Sequence, residues 1–156
     1  MWADLGGAYR ELPVELRDLI RDLSAVHGVD RSLLASVRRH QGVDVSRELR
    51  RRHEPVVHPL VRTHPTSGEP LLFLCPMYLR SVVGLEPAES GALLRRLHSV
   101  LDDPRLSIRW SWTVGDLVVW DEAATNHKAL ADHAPRRRVM RRCVAGKQEV
   151  TAWSAA

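Results

Sequence analysis

A run of closely spaced arginines offers the clearest chemistry in this sequence. Residues 137–144 read RRVMRRCV, so in an extended strand Arg138 and Arg142 share one face while Arg137 and Arg141 share the other. A guanidinium that points into a core needs an anionic partner, because burying an unpaired charge is costly. Since arginine matches a carboxylate or sulfonate with two parallel hydrogen bonds, a small anion is a natural occupant. The alternative is an edge strand with solvated arginines, which periodicity alone favours.

His127 is the second residue that could do chemistry. It follows Trp120-Asp121-Glu122-Ala123-Ala124-Thr125-Asn126 on a segment that leaves a predicted strand. Neutral imidazole is a common metal ligand, but a lone histidine is more often structural or solvated. One histidine cannot hold a metal, so its role depends on which other ligands the fold supplies.

Two helices are predicted among the elements that must position these residues. The first lies between Pro13 and Gly28, and its apolar positions are Leu16, Leu19, Ile20, Leu23 and Val26. The second begins at Pro87 and ends near Pro104, and its apolar face carries Leu93, Leu94, Leu97, Val100 and Leu101. Residues 29–55 are polar and rich in arginine. We expect a short helix there, with Asp30 as a candidate N-cap, followed by a long loop of the kind that often covers active sites.

Alternating or continuous apolar residues predict short β-strands in the rest of the chain. A turn at residues 65–68 separates the first two, and Gly115-Asp116 separates two later ones. The predicted extended segments are 56–63, 71–74, 106–112, 117–120 and 137–144. Short antiparallel-type strands with interposed helices indicate an α+β or mainly β fold, a β-sandwich or jelly roll with flanking helices.

The composition is that of one globular domain. The chain has 156 residues, of which 44% are hydrophobic and 27% charged. No apolar run approaches the ~20 residues that a membrane span needs. The N-terminus has no signal-peptide pattern, so we expect a cytoplasmic protein. Cys75 and Cys143 are interpreted as free thiols in core-like surroundings.

The formal net charge of +4 comes almost entirely from arginine, since Lys128 and Lys147 are the only lysines. A basic binding module could use Arg50, Arg51 and Arg52 together with the 136–142 cluster to contact phosphates. Acidic residues are interspersed through most of the chain, and no nucleic-acid recognition motif accompanies the arginines. A nucleic-acid partner is therefore disfavoured.

An ordered set of motifs resembles the taurine dioxygenase (TauD/TfdA-like) family of Fe(II)- and 2-oxoglutarate-dependent dioxygenases. Arg138 and Arg142 follow His127 by 11 and 15 residues, as in that family's C-terminal signature. The matching pieces are Trp2-Ala3-Asp4, Ala8-Tyr9, Leu12-Pro13, Arg62-Thr63-His64-Pro65-Thr66-Ser67-Gly68, Leu71-Leu72-Phe73, Val83-Gly84-Leu85, Glu89-Ser90, Leu93-Leu94, the Trp120–His127 stretch, Asp132, Pro135, Arg138 and Arg142. The likeness runs from Trp2 to about Gly146, almost the whole chain.

The resemblance implies a role for each candidate residue. His127 would be the second histidine of an iron triad made of two histidines and one carboxylate. Arg138 would bind the distal carboxylate of 2-oxoglutarate, and Arg142 the anionic end of the substrate, the cosubstrate's other carboxylate, or both. Trp110 and the 117–120 strand would help to form the wall of a partial double-stranded β-helix with two or three flanking helices. The implied reaction hydroxylates a small, anionic organic substrate with molecular oxygen, and a homo-oligomer is compatible with the family.

The family's first histidine and its carboxylate come from a His-x-Asp or His-x-Glu motif. No histidine of this chain has Asp or Glu two residues on; the eight are His27, His40, His53, His58, His64, His98, His127 and His133. The resemblance therefore implies that residues 1–156 are the C-terminal portion of one dioxygenase domain, truncated and inactive alone. The alternatives are a non-catalytic remnant, or a partner chain that assembles with a homologous protein. A zinc hydrolase is the least favoured, since no second and third ligand stand at usable spacing.

Overall fold

The computed structural model describes residues 1–29, 31–130, 132–133, 135, 137–146 and 149–154. Strand β1 (Trp2–Asp4) leads directly into helix α1 (Leu5–Arg10). Asp4 is the N-cap residue, and its Oδ1 accepts hydrogen bonds from Gly6 N and Gly7 N, each at 2.9 Å. This cap satisfies two of the amide groups that a helix N-terminus leaves without an intrahelical partner.

The first predicted helix is shorter than its apolar pattern suggested. Helix α2 (Val14–Ile20) ends seven residues early, and strand β2 (Ser24–His27) takes the place of its last turn. Val26 thus belongs to a strand and not to the helix. The reason is tertiary, because β2 gains ladder hydrogen bonds on both of its edges, and such pairing overrides local helical periodicity.

The arginine-rich segment forms two helices. The prediction of a short helix followed by a long loop is therefore wrong for this segment. Helices α3 (Arg31–Gln41) and α4 (Val43–Arg52) are joined by Gly42, whose φ of 97° lies in the left-handed region that favours glycine. They pack chiefly against each other, and α4 buries none of its residues. Their sparse apolar residues hide the helical pattern from the sequence. The candidate N-cap Asp30 lies outside the described residues.

The central strands confirm the extended segments predicted between residues 56 and 74. They are β3 (Val56–Pro59), β4 (Val61–Thr63) and β5 (Pro70–Leu72), and β6 (Leu79–Val82) follows. One antiparallel sheet has the order β3-β2-β6, and β4 pairs antiparallel with β5 across the predicted turn. An isolated bridge to Ala152 adds the C-terminal residues to the free edge of β4.

Helix α5 (Pro87–Val100) agrees with its prediction. Pro87 occupies the first turn, and Glu86 and Glu89 form a reciprocal capping box. A short 3-10 turn (Pro104–Leu106) then leads into strand β7 (Ser107–Ile108). The buried faces of α1, α2 and α5 enclose one core with the inner residues of β2, β4, β5 and β6.

The last strand, β8 (Thr125–His127), pairs antiparallel with β1, and β7 pairs with the other edge of β1. Three strand predictions fail in this region. The 106–112 segment is a strand only at β7, and residues 117–120 and 137–144 form none. Alternation alone does not make a strand, which requires a neighbouring backbone to complete its ladder. Among the described residues these segments have no such neighbour.

The described residues therefore form a mixed α/β fold with antiparallel sheets and five α-helices, where two or three were expected. No described helix is both long and apolar enough to cross a bilayer. Cys75 and Cys143 are free thiols; Cys75 is half-buried, but Cys143 is exposed, so its expected core-like surroundings are not found.

Candidate functional site

Strand β8 places His127 beside the N-terminal strand. The register pairs His127 with Trp2 and Asn126 with Ala3. The Asn126 side chain also donates a 2.9 Å hydrogen bond to the carbonyl of Leu74, which ties the strand to the core. The position of His127 is therefore fixed by contacts that reach both the start and the middle of the chain.

Arg142 and Glu122 are the nearest charged groups to the His127 ring. Arg142 Nη1 lies 3.5 Å from His127 Nε2, and Glu122 Oε1 lies 4.0 Å from His127 Nδ1. The His127 side chain keeps 37% of its surface exposed. The structure thus brings together two of the three predicted site residues, His127 and Arg142, at an accessible position.

Arg142 already has an anionic partner in the chain. Its Nη2 donates to Glu122 Oε1 at 2.6 Å, and its guanidinium lies 5.5 Å from the centre of the Trp120 ring. Glu122 also accepts a 2.7 Å hydrogen bond from Trp120 Nε1 through its other oxygen. The carboxylate therefore neutralises Arg142 and fixes the indole, so an incoming anion would compete with Glu122 for this guanidinium.

Arg138 lies in different surroundings. It is half-buried, and its Nε is a buried donor without a hydrogen-bond partner among the described residues. Burial, and then the positive charges of Arg138 and Arg109, lower the pKa of the Met1 amino group. Arg109 itself is paired with Asp132. Arg138 thus lies in an electropositive region with an unused donor, which is the condition under which a bound anion gains most.

An aromatic cluster borders the site. Trp2 lies 5.4 Å from Trp120 and 6.2 Å from Trp112, and Trp120 lies 5.6 Å from His127, all measured between ring centres. These rings thus form an apolar surface on one side of the charged groups. Trp110, which was expected in the wall of the barrel, is exposed and donates through its indole to Asp116 at 2.9 Å.

The described residues offer only part of what an iron site requires. A facial iron site takes two histidines and one carboxylate. Across the part of the chain that the structure describes, no group of three His, Cys, Asp or Glu side chains could hold a metal ion. His127 supplies one imidazole, and its nearest charged neighbours are a cation and a carboxylate already committed to that cation. The described residues do not fit a complete iron site.

The α4 arginines of the basic-module alternative, Arg50, Arg51 and Arg52, form a solvated face. Arg51 and Arg52 both pair with Glu48, at 2.8 Å and 2.6 Å, on the exposed side of α4. These two hydrogen bonds lower the pKa of Glu48 to about 2. The single carboxylate of Glu48 thus offsets one of these two positive charges within the helix. Arg136, which belonged to the second cluster, lies outside the described residues.

Sequence reasoning named Glu122 and Trp2 only as parts of motifs and gave them no role. Glu122 is the group that holds Arg142, and Trp2 is the strand partner of His127. The available signal for Glu122 was its place in the Trp120-Asp121-Glu122 run before His127. No local signal indicates Trp2, because its contact with His127 spans more than a hundred residues.

Comparisons with known proteins agree with the motifs. The profile of the family described as "Taurine catabolism dioxygenase TauD, TfdA family" matches residues 1–144. The alpha-ketoglutarate-dependent sulfate ester dioxygenase of Pseudomonas putida is 35% identical over 150 residues, which cover 91% of this chain and 48% of that protein. An alkylsulfatase of Acinetobacter baylyi is 31% identical over 144 residues, which cover 90% of this chain and 45% of the alkylsulfatase.

The fold agrees as well. The crystal structure of a taurine dioxygenase from Burkholderia xenovorans superimposes with a TM-score of 0.63 at 32% sequence identity, over 80% of this chain and 37% of that one. The chain spans about half the length of the curated relatives it matches. The profile match covers almost all of the chain, and the motif residues His127, Arg138 and Arg142 lie within it. On this evidence, the chain belongs to the taurine dioxygenase (TauD/TfdA) family.

Proposed function

We propose that this chain contributes to an iron(II)- and 2-oxoglutarate-dependent dioxygenase that hydroxylates a small anionic organic substrate. Molecular oxygen would be the second cosubstrate. The observation that carries the proposal is the half-buried Arg138 side chain, whose Nε has no hydrogen-bond partner among the described residues, on a segment whose Arg142 reaches His127. Family membership over residues 1–144 supports the reaction class.

Each predicted site residue has a proposed role. His127 would be one ligand of the metal, which supplies the oxygen chemistry when bound. Arg138 would hold the distal carboxylate of 2-oxoglutarate, because a guanidinium gives two parallel hydrogen bonds to a carboxylate. Arg142 would bind the substrate anion or the other carboxylate of 2-oxoglutarate. Residues 1–156 would form the C-terminal portion of one such domain.

The proposed substrate class is an alkyl sulfate ester, with sulfonates and carboxylates as further candidates. The relative from Pseudomonas putida is named for sulfate esters, and the one from Acinetobacter baylyi is named an alkylsulfatase. A sulfate ester group carries three terminal oxygens, and two of them can accept the two parallel hydrogen bonds of a guanidinium, as those of a phosphate do. The aromatic cluster around Trp120 would lie against the apolar part of such a molecule.

The Arg138→Gln variant tests the proposal against a matched control. Arg141→Gln removes the same charge from an exposed neighbour three residues away. Calorimetric titration with 2-oxoglutarate would show binding to the unsubstituted chain and to Arg141→Gln. Arg138→Gln should bind about tenfold to a hundredfold more weakly, because hydrogen bonds to a charged group are lost. Equal affinities in the two variants would contradict the role of Arg138.

A further inference from the structure

Glu122 lies in a turn, and the segment before this turn pairs with no strand among the described residues. Residues 117–120 form no strand, and Leu117 and Val119 are almost fully exposed. The turn itself, residues 121–124, precedes β8 directly, and its Ala123 is buried. The backbone N–H of Leu5 donates to Ala124 O at 2.9 Å, and side chains of β4 and of the residue after it make further contacts with this turn.

His64 provides one of these contacts. It follows β4, and its Nε2 lies 3.0 Å from Asp121 Oδ2. The backbone N–H of Ser67 donates to His64 Nδ1 at 3.0 Å. Because a backbone amide can only donate, Nδ1 is the acceptor nitrogen, and the proton of the neutral ring is on Nε2, where it is donated to Asp121.

The ring of His64 is itself well fixed. Its side chain is only 12% exposed, and its backbone N–H donates to Glu69 O at 2.7 Å. Its carbonyl accepts from Gly68 N at 2.9 Å, across a turn in which Gly68 has a φ of 75°. This φ lies in the left-handed region, which favours glycine. The β4–β5 turn thus presents a preorganised donor.

Asp121 passes this constraint to the turn. Its Oδ1 accepts from Ala123 N at 2.7 Å and Ala124 N at 3.1 Å, while its Oδ2 faces His64. Arg62, which lies in β4, donates to the carbonyl of Ala123. The hydrogen bond from His64 is the main cause that lowers the pKa of Asp121, so the carboxylate stays charged. His64 and Arg62 therefore hold the turn at two groups, the Asp121 carboxylate and the Ala123 carbonyl.

We propose that His64 is a positioning residue, which acts through Asp121 to place Glu122 against Arg142 and His127. The catalytic importance of this role rests on the proposed function. The position of Glu122 does not, because it depends only on contacts within the chain. Glu122 lies between Asp121 and Ala123, so its side-chain direction follows the turn that these two residues define. Loss of the His64 donor would release the turn and, with it, the carboxylate that neutralises Arg142.

Side-chain nitrogen NMR on the full chain tests this without metal or cosubstrate. The probes are Trp120 Nε1–H, which donates to Glu122, and Arg142 Nε–H. In His64→Ala both signals should shift, and hydrogen exchange at the amides of Ala123 and Ala124 should accelerate about tenfold, because one hydrogen bond to a carboxylate is lost. His64→Gln, which keeps an N–H donor, should restore most of both effects.

The control is His53→Ala, which removes an exposed histidine far from the turn. Amides of α5 report on global stability and should exchange at the unsubstituted rate in every variant. Unchanged Trp120 and Arg142 signals in His64→Ala would overturn the proposal, and so would an equal acceleration in α5. If His64→Ala does not fold, the same spectra are recorded for Asp121→Asn, and unchanged Trp120 and Arg142 signals in that variant would overturn the proposal. Failure to bind 2-oxoglutarate would contradict the proposed function but would leave these signals unaffected.

Discussion

Glu122 and Arg142 form a 2.6 Å ion pair beside His127, although they are separated by 20 residues. About half of each side chain is exposed, so the pair is screened by water and its net contribution is small. The pair nevertheless decides which arginine is free to meet an anion. Arg142 is neutralised by the chain itself, whereas Arg138 has an unused donor.

Removing the Glu122 carboxylate should raise the affinity for 2-oxoglutarate. In Glu122→Gln the guanidinium of Arg142 loses its charged partner, and an exposed ion pair of this kind is worth up to about 1 kcal/mol. We expect a gain in affinity of up to about fivefold at low salt, measured by calorimetry. Glu48→Gln is the control, because Glu48 also pairs with arginines but on the distant helix α4. A weaker or unchanged affinity in Glu122→Gln would show that Arg142 does not face the anion.

The stability of the chain should fall as the pH drops below about 6.5. His27 is 6% exposed, its ring stacks on Phe73 at 5.0 Å, and burial followed by the charge of His58 lowers its pKa from 6.5 to about 4. Between these values the unfolded chain binds a proton that the folded chain does not, so stability decreases with falling pH. The loss across this window is on the order of 3 kcal/mol.

Urea unfolding between pH 8 and pH 4.5 measures this dependence. In His27→Leu the free energy of unfolding should change less between pH 6.5 and pH 4.5 than in the unsubstituted chain, whatever the absolute stability of the variant. His58 contributes in the same direction, because burial and the charge of Arg62 lower its pKa as well. His53→Gln, at an exposed histidine, should leave the curve unchanged. A curve of full steepness in His27→Leu would mean that another group causes the acid sensitivity.

Ser90 should matter for stability more than its size suggests. It is 2% exposed, and its Oγ accepts a 2.8 Å hydrogen bond from the backbone N–H of the buried Val82. Ser90→Ala leaves this buried donor without a partner, which costs about 1–3 kcal/mol. Ser99→Ala removes a hydroxyl from the exposed side of the same helix and should cost less than about 0.5 kcal/mol. Urea midpoints compare the two, and similar values would contradict this account.

Two helical glycines should respond to alanine with opposite signs. A Cβ at Gly7 would lie 2.5 Å from Asp4 Oδ2 and 3.0 Å from Leu106 Cδ2, so the carboxylate would have to leave its capping position. We expect Gly7→Ala to destabilise the fold by about 0.5–2 kcal/mol, the usual value of an N-cap. At Gly91 the nearest atom is the flexible end of Arg95, at 3.3 Å.

Gly91→Ala should therefore stabilise the chain by about 0.5–1 kcal/mol, since alanine is the better helix former. Thermal unfolding of both variants gives the comparison. If Gly7→Ala were also stabilising, the Asp4 side chain would not be constrained as the structure indicates.

Elements whose signals are local could be predicted from the sequence. Helix α5 has its proline, its capping glutamates and a regular apolar face within 14 residues, so no distant contact was needed to predict it. The turn at residues 65–68 and the strands around it are equally local, and the ordered set of motifs from Trp2 to about Gly146 indicated the family. These features depend on chain geometry over a few residues.

Strand pairing and ion pairing depend on distant partners, so they could be seen only in the tertiary structure. Val26 lies in β2 because two other strands complete its ladder, and residues 137–144 alternate like a strand but have no neighbour among the described residues. The same holds at the site, where the strand pattern only placed Arg138 and Arg142 on one face. Glu122 distinguishes them by pairing with Arg142. A backbone ladder and an ion pair both join residues far apart in sequence, and no local periodicity encodes either one.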